Sequence, residues 1–417
     1  MTVQNSSKRI VVLGGGIGGQ VAANQLRRKL SRNHSVVLID KNATYAFPPS
    51  FLWMMTGDRR RDDVVRPLSS LLRAGIELVI DEATHIDGAG KTIHVSDRQI
   101  PFDYLVLALG AETDPDRVPG LSKAAHSLYS LDGCERIYRD VQNFNGGTIA
   151  VVVASVPYKC PGAPHETAML LSDVIRRRGL RDKTDIHLFT PEPQPLPVAG
   201  PEMGKNVLSL LESRNVHFHP LHKISSVRAD ERQLIFDGRP PASYDLLIAI
   251  PPHQAPSVVR DAGLTNESGW VPVNGKTLLT KHPGVYAIGD IAAVSIPGRW
   301  KPEVPMMLPK AGVFAHDQAE VVAERITDEI NGRASVAEFC GDGYCMLEAG
   351  ESMAGFAYGN FYGEPSPQLR LRNIGRAWHI GKVLFEKWWL APIGIRKWIL
   401  KNLLAIGARA LRIPVRL

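Results

Sequence analysis

Cys160 stands in the run Tyr158-Lys159-Cys160-Pro161-Gly162-Ala163-Pro164-His165-Glu166, on a turn between an apolar stretch at 148–154 and a helix predicted at 167–178. A thiol beside a lysine and a helix N-terminus is expected to ionise below its free value of about 8.5 and to act as a nucleophile. The plain alternative is a small buried hydrophobe, the usual fate of a free cysteine. Glu166 either stabilises the first helical turn or relays protons. The chain has 4 Cys in 417 residues, too few for a disulfide scaffold and suited to a reducing compartment. The others are Cys134, Cys340 and Cys345. Cys340 and Cys345 lack the further ligands that structural zinc needs, so no metal is expected, and there is no Cys-x-x-Cys-His for haem.

These residues must be held by elements readable from the same sequence. Arg9–Leu13 is a short β-branched run, followed by Gly14-Gly15-Gly16-Ile17-Gly18-Gly19 and a helix predicted at 20–30. This is the strand, G-x-G-x-x-G, helix unit that binds a dinucleotide. Gly14 permits the turn, Gly16 admits a pyrophosphate to the helix N-terminus, and Gly19 lets helix and strand pack closely. A second strand at 35–39 ends in Asp40, placed to hold ribose hydroxyls. Two later strands, within 104–111 and 284–292, end in Gly110-Ala111 and Gly289-Asp290. A second copy of the unit starts at 148–154, but Pro157, Pro161 and Pro164 follow where backbone N–H donors are needed. A nicotinamide dinucleotide is therefore expected to bind poorly or not at all.

With two such units and the late Gly-Asp, the sequence resembles the two-dinucleotide-domain flavoproteins. The string Tyr-Lys-Cys-Pro-Gly-Ala-Pro-His-Glu at 158–166 resembles the sulfide:quinone oxidoreductase family, related to the flavocytochrome sulfide dehydrogenase flavoprotein. The resemblance implies FAD as cofactor, with Gly14, Gly16, Gly19, Asp40, Gly110, Asp290 and Lys310 around it. It selects Cys345 as the partner of Cys160, through a pattern like Gly-x-Gly-x-Cys followed by an acid and a glycine. Glu166 and Lys310 join the two thiols as catalytic candidates, Lys310 by stabilising an anionic reduced flavin. Lys382 and Phe385 match a Lys-x-x-Phe-Glu segment beside the quinone. The implied chemistry is attack of hydrosulfide on a Cys160–Cys345 disulfide or sulfur-bridged pair, with electrons passing through FAD to quinone and polysulfide or sulfur leaving. One departure stands out. Many members have a third Cys where His126-Ser127-Leu128-Tyr129-Ser130 has Tyr129, and a family His is replaced around Asp132. A covalent flavin link at Tyr129 and a three-thiol mechanism lose their support, while Cys134 lies off register.

The net charge is +7, but residues 370–417 hold eleven Lys/Arg against Glu386 alone, a net of +10 that leaves −3 for the body. A mildly acidic body without a nucleic-acid motif argues against nucleic acid as a partner. Four of the 7 Trp also lie after Arg370. On a helical wheel over 395–413, Lys397, Lys401, Asn402, Arg409 and Arg412 fall on one side. Ile395, Ile399, Leu403, Ile406 and Ile413 fall on the other, with Arg396 between. Such a basic amphipathic helix suits a lipid surface; a helix packed on the body is the alternative. Residues 1–8 show no export signal, so a monotopic protein on the cytoplasmic side of a membrane is expected. The fold class is thus α/β, with two Rossmann-like domains and a membrane-surface region. FAD-binding parts are expected at 1–120 and 275–325, the second Rossmann-like domain at 121–274, and a quinone and membrane region at 326–417. Association into a homo-oligomer is left open. The rival readings are a type II NADH:quinone oxidoreductase, which requires the missing phosphate loop, and a flavin-bearing membrane-surface sensor without turnover.

Overall fold

The computed structural model describes residues 7–413, so the outer ends of the first and last expected regions fall outside the described residues. Arg9–Leu13 is the centre of a five-stranded parallel sheet ordered Val285–Ala287, Tyr104–Leu107, Arg9–Leu13, Ser35–Asp40 and Ile76–Ile80. Strands covered on both faces read as continuous apolar runs, and Ile10 to Leu13 are buried accordingly. The helices Ile17–Lys29 and Gly312–Ile330 pack together beside this sheet. Chain from either side of a long insertion therefore builds one layer.

The second sheet repeats the plan. Its parallel order is His126–Ser127, Leu246–Ile250, Gly147–Val153, Thr184–Phe189 and Val216–His219, with Gly147–Val153 in the central position. The helix after that strand is Ala163–Arg177, four residues earlier than the sequence suggests. Pro164 is accommodated because the first turn of a helix has N–H groups without partners anyway. Glu166 consequently lies on the helix rather than in the loop before it.

A three-stranded antiparallel sheet, Asp342–Gly350, Met353–Asn360 and Gln368–Gly375, closes the remaining side. Its first strand packs on the helix Ala163–Arg177, and the helix Arg376–Trp389 packs on its second strand. The last helix is Ile395–Ala410, ending short of Ile413, with Arg412 in the left-handed region at φ 51°. Leu400 and Leu404 pack against the core of the first sheet. Lys397, expected on the polar face, turns inward instead. Its Nζ donates to the carbonyls of Trp389 at 2.8 Å and Ala391 at 3.1 Å, supplying donors to the last turn of the preceding helix. Burial pushes this ammonium down to about 8.

Candidate active site

A cavity of about 1850 Å³ opens where the three sheets meet, and Gly14, Gly16, Asp40, Gly110, Asp290, Lys310, Cys160, Cys345, Glu166, Lys382 and Phe385 all line it. Gly19 lies behind that wall. The carboxyl ends of Arg9–Leu13 and Tyr104–Leu107 point here, at the crevice where open α/β sheets bind ligands.

The first wall has the shape of a dinucleotide cradle. Gly14 has φ +107°, and a Cβ there would stand 2.5 Å from the Ala108 carbonyl oxygen. A Cβ on Gly19 would lie 1.8 Å from the Gly14 carbonyl oxygen, so helix and turn approach as only glycine permits. At Gly16 and Gly110, by contrast, a Cβ would meet nothing within 4 Å. Asp40 ends its strand with Oδ2 accepting from Gly15 N–H at 2.6 Å and Oδ1 from Asn42 N–H at 2.7 Å. The half-buried Asp290 has an inaccessible Oδ1 without a hydrogen-bond partner, and desolvation raises its pKa against the opposing charges of Lys159 and Lys310. An orphaned buried oxygen is a costly state that a bound polar group relieves. Lys310 Nζ donates to the Asp290 carbonyl and sits 3.4 Å from the centre of the Trp270 ring. Burial pushes Lys310 down to about 8. Open space at the glycines together with this unsatisfied carboxylate fits FAD, whose pyrophosphate would be held at Gly16 and a flavin-side hydroxyl at Asp290.

The opposite wall is the rebuilt second unit. Cys160 lies at φ +56°, a conformation that costs a non-glycine residue roughly 1–3 kcal/mol and persists where surroundings enforce it. Two bonds enforce it here. Cys160 N–H donates to the Lys310 carbonyl at 2.7 Å, and Tyr129 Oη donates to the Lys159 carbonyl at 2.6 Å. Tyr129, which stands in place of the third thiol, is thus a brace for the Cys160 turn. Further into this unit, Glu192 follows the strand Thr184–Phe189, where an acid would grip a nicotinamide ribose. Its Oε2 instead accepts from Tyr158 Oη at 2.8 Å and Thr190 Oγ1 at 3.1 Å.

Cys345 reaches the same chamber from the antiparallel sheet. Its Sγ is 3.9 Å from the position a Cβ on Gly162 would take, and Glu166 Oε2 is 3.5 Å from that position. Both thiols are free. The expected low thiol pKa is not found. Burial raises Cys160 well above the usual thiol range, reinforced by Glu166 and Cys345; burial and Glu166 push Cys345 up to about 12. Cys345 is exposed where it lines the cavity. Lys159, the supposed activating cation, directs its Nζ to the Ala111 carbonyl at 3.1 Å. The cation that opposes the rise at both sulfurs is Lys382. Cys134 is buried in the helix Leu131–Asn143 with Sγ 3.2 Å from the Leu128 carbonyl, and Cys340 is exposed.

Lys382, expected at a quinone, lines the cavity with Phe385 and is held there by two acidic neighbours. Its Nζ donates to Glu166 Oε1 at 2.6 Å, and Glu348 N–H donates to the same oxygen at 2.8 Å. Phe385, one turn along, joins Phe47, Trp388 and Trp389 in an aromatic cluster with centroids 5.3–6.2 Å apart. Glu348 and His379 were missed as site residues. For His379 the signal was helical spacing, since 379, 382 and 386 fall on one face of Arg376–Trp389 and all three carry titratable side chains; Glu348 lies on the strand Asp342–Gly350, where that spacing does not reach.

Two adjoining dinucleotide folds, a glycine cradle and an unsatisfied carboxylate at its flavin end define an FAD-binding oxidoreductase. The family model for pyridine nucleotide-disulphide oxidoreductases matches residues 8–318, and the chain belongs to that family. Among curated relatives, a mitochondrial sulfide:quinone oxidoreductase of Dictyostelium discoideum is 27% identical over 296 residues, covering 68% of this chain and 65% of the relative. The chain thus spans 65% of the length of that relative. The sulfide-quinone reductase of Aquifex aeolicus is 28% identical over 408 residues, 92% of this chain and 90% of the relative. The X-ray structure of the sulfide:quinone oxidoreductase from Aquifex aeolicus has the same fold, with a TM-score of 0.84 at 24% identity over 99% of this chain and 96% of that one. A type II NADH:quinone oxidoreductase of Staphylococcus haemolyticus matches at 22% identity over 371 residues, 84% of this chain and 90% of the relative.

Proposed function

We propose that the chain is a membrane-associated sulfide:quinone oxidoreductase, oxidising sulfide at Cys160 and Cys345 and passing electrons through FAD to a quinone. The observation that carries this reading is the meeting of two thiols, 185 positions apart in sequence, in the cavity that also holds the dinucleotide cradle. When bound, FAD supplies the two-electron carrier. The residues of the chain do the rest. The oxidised Cys160–Cys345 pair offers a sulfur that hydrosulfide attacks, giving a persulfide on one cysteine and a thiol on the other. Lys382 supplies the positive charge that favours a thiolate during that exchange, and Glu166 accepts a hydrogen bond from its ammonium. Lys310 lies beside Asp290, where cationic character favours negative charge on the cofactor. Phe385 and its aromatic neighbours offer faces for a quinone ring, and Trp388 Nε1 is a buried donor with no acceptor among the described residues.

The NADH reading is disfavoured by the Tyr158–Glu192 bond and the proline loop, and the turnover-free sensor reading leaves the paired thiols without a task. The decisive experiment is anaerobic stopped-flow of the purified protein at the oxidised-flavin band. Sulfide is expected to bleach it and NADH to leave it unchanged; bleaching by NADH alone replaces this reading with the NADH:quinone one. Sulfide-dependent quinone reduction in steady state separates either enzyme from the sensor.

The proposed domain division places the FAD-binding parts at 1–120 and 275–325, around the sulfur-handling domain at 121–274. The region 326–417 closes the site and meets a membrane from its cytoplasmic side. No helix among the described residues is long and apolar enough to cross a bilayer. Support for surface attachment comes from Ile395, Trp398, Leu403 and Ile406, each more than half exposed on the last helix, with Ile399 between them. Inserting such side chains contributes about 1.5 kcal/mol or more apiece. Replacing Ile399 and Leu403 by Glu is therefore expected to weaken binding to anionic vesicles by about a hundredfold, read by co-sedimentation. Unchanged sedimentation removes the attachment from the proposal.

A further inference from the structure

The buried charges behind the thiols continue in one direction, to the surface. Glu166 and Lys382 form the inner pair, with side chains 2% and 10% exposed. Lys382 Nζ also stands 4.0 Å from Glu348 Oε1, an oxygen that is buried and has no hydrogen-bond partner. The other oxygen of Glu348, Oε2, is 2.9 Å from His379 Nδ1. The side chain of Glu348 is 1% exposed and that of His379 24% exposed. The edge of the His379 ring packs on Trp53, 5.9 Å between centroids. Arg59, the other cation at Trp53, is taken by Glu386 through bonds of 2.8 and 2.9 Å and does not neutralise Glu348. The result is a file of alternating acids and bases that runs from the cavity wall at Glu166 to the partly exposed His379.

We propose that Glu348 and His379 are the proton port of the active site, carrying protons between solvent and the Lys382–Glu166 pair. The inference rests on the sulfide:quinone reading. In that reaction hydrosulfide loses two electrons and one proton to become sulfane sulfur, and a quinone gains two electrons and two protons to become quinol. Each turnover therefore draws one net proton from solvent. His379 accepts it at the surface and Glu348 passes it on through Oε1 and Oε2. The Lys382 ammonium hands one of its own protons to Glu166, which lines the cavity where quinol forms, and a change of its side-chain torsions brings the amine to Glu348 to take the replacement. His379 and Glu348 are positioning and relay residues, not groups that touch sulfur or quinone.

The test uses the full-length, FAD-loaded protein. Diethyl pyrocarbonate followed by peptide mass mapping is expected to modify His379, while the buried His165 and His253 resist. Failure of His379 to react closes the port whatever the reaction proves to be. In wild-type enzyme that turns over sulfide and a soluble quinone, His379→Ala is expected to lower the rate about tenfold or more, short of the ~10²–10⁴ of a group acting on the reacting atoms. Added imidazole is expected to restore it. Glu348→Gln is expected to show the same loss without imidazole rescue, because the gap then lies inside the protein. If His379→Ala loses FAD, His379→Gln keeps the hydrogen bond to Glu348 but cannot carry a proton and is expected to show the loss. Full rates in His379→Gln and Glu348→Gln, or a loss in His379→Ala that imidazole does not reverse, overturn the port. A wild type inert to sulfide overturns the functional reading instead, and the chemical modification still decides solvent access.

Discussion

Cys160→Ser, mixed anaerobically with sulfide, is expected to leave the flavin oxidised over a time in which the wild type is fully reduced, a loss of at least about a thousandfold. Cys345→Ser is expected to behave alike, and the double variant to add little, because residues that act as one unit are far from additive. The reason is chemical. A serine hydroxyl cannot form the sulfur bridge that hydrosulfide attacks, and one cysteine without the other has no partner to close it. Bound FAD is expected to persist, since the glycines, Asp40 and Asp290 belong to other elements and make no bond to either sulfur. The measurement is the flavin-to-protein ratio together with the stopped-flow trace. Wild-type reduction rates in both variants retire the thiol mechanism.

The second large effect is on stability. Lys382→Met removes the ammonium that faces Glu166 and Glu348 and leaves two carboxylates beside each other, each nearly inaccessible to solvent. Breaking a buried ion pair from one side costs about 3–5 kcal/mol, and the thermal midpoint is expected to fall by several degrees. The Lys382 pKa is raised in the fold by Glu166 and Glu348, which outweigh the desolvation that opposes them. A raised cation contributes stability that is fully present below its unfolded value of about 10.4 and is lost only as pH rises through the folded value. The deficit of the variant should therefore be level from neutral pH to about pH 10 and narrow only above that. Lys382→Met combined with Glu166→Gln should be less destabilised than the sum of the two single variants, since both act on one interaction. A strictly additive cycle would show that the pair is not a unit.

Much of the fold was legible because its signals are local. The run Arg9–Leu13, the glycines after it and the acid at Asp40 name a strand, a cradle and a second strand within one short segment. The pairing of Cys160 with Cys345 was reached through family resemblance rather than from spacing, since nothing local ties a loop of the second sheet to a strand of the third. What remained hidden was electrostatic. Lys159 adjoins Cys160 in sequence and suggested an activating charge, but its side chain leaves toward Ala111, while Lys382, more than two hundred positions away, faces the sulfurs. Direction of a side chain is set by packing, which a linear reading does not contain. The same holds for Lys397, polar on the wheel yet folded inward over backbone carbonyls. Pro164 misled the helix boundary because proline breaks a helix interior but suits its first turn.

Lys310 is fastened twice: its backbone carbonyl to Cys160 and its ammonium to the Asp290 carbonyl. The loop that carries Cys160 and the loop that carries Asp290 are by this means joined through one residue. A displacement of either loop is thereby felt by the other, so the thiol and the carboxylate share a common footing.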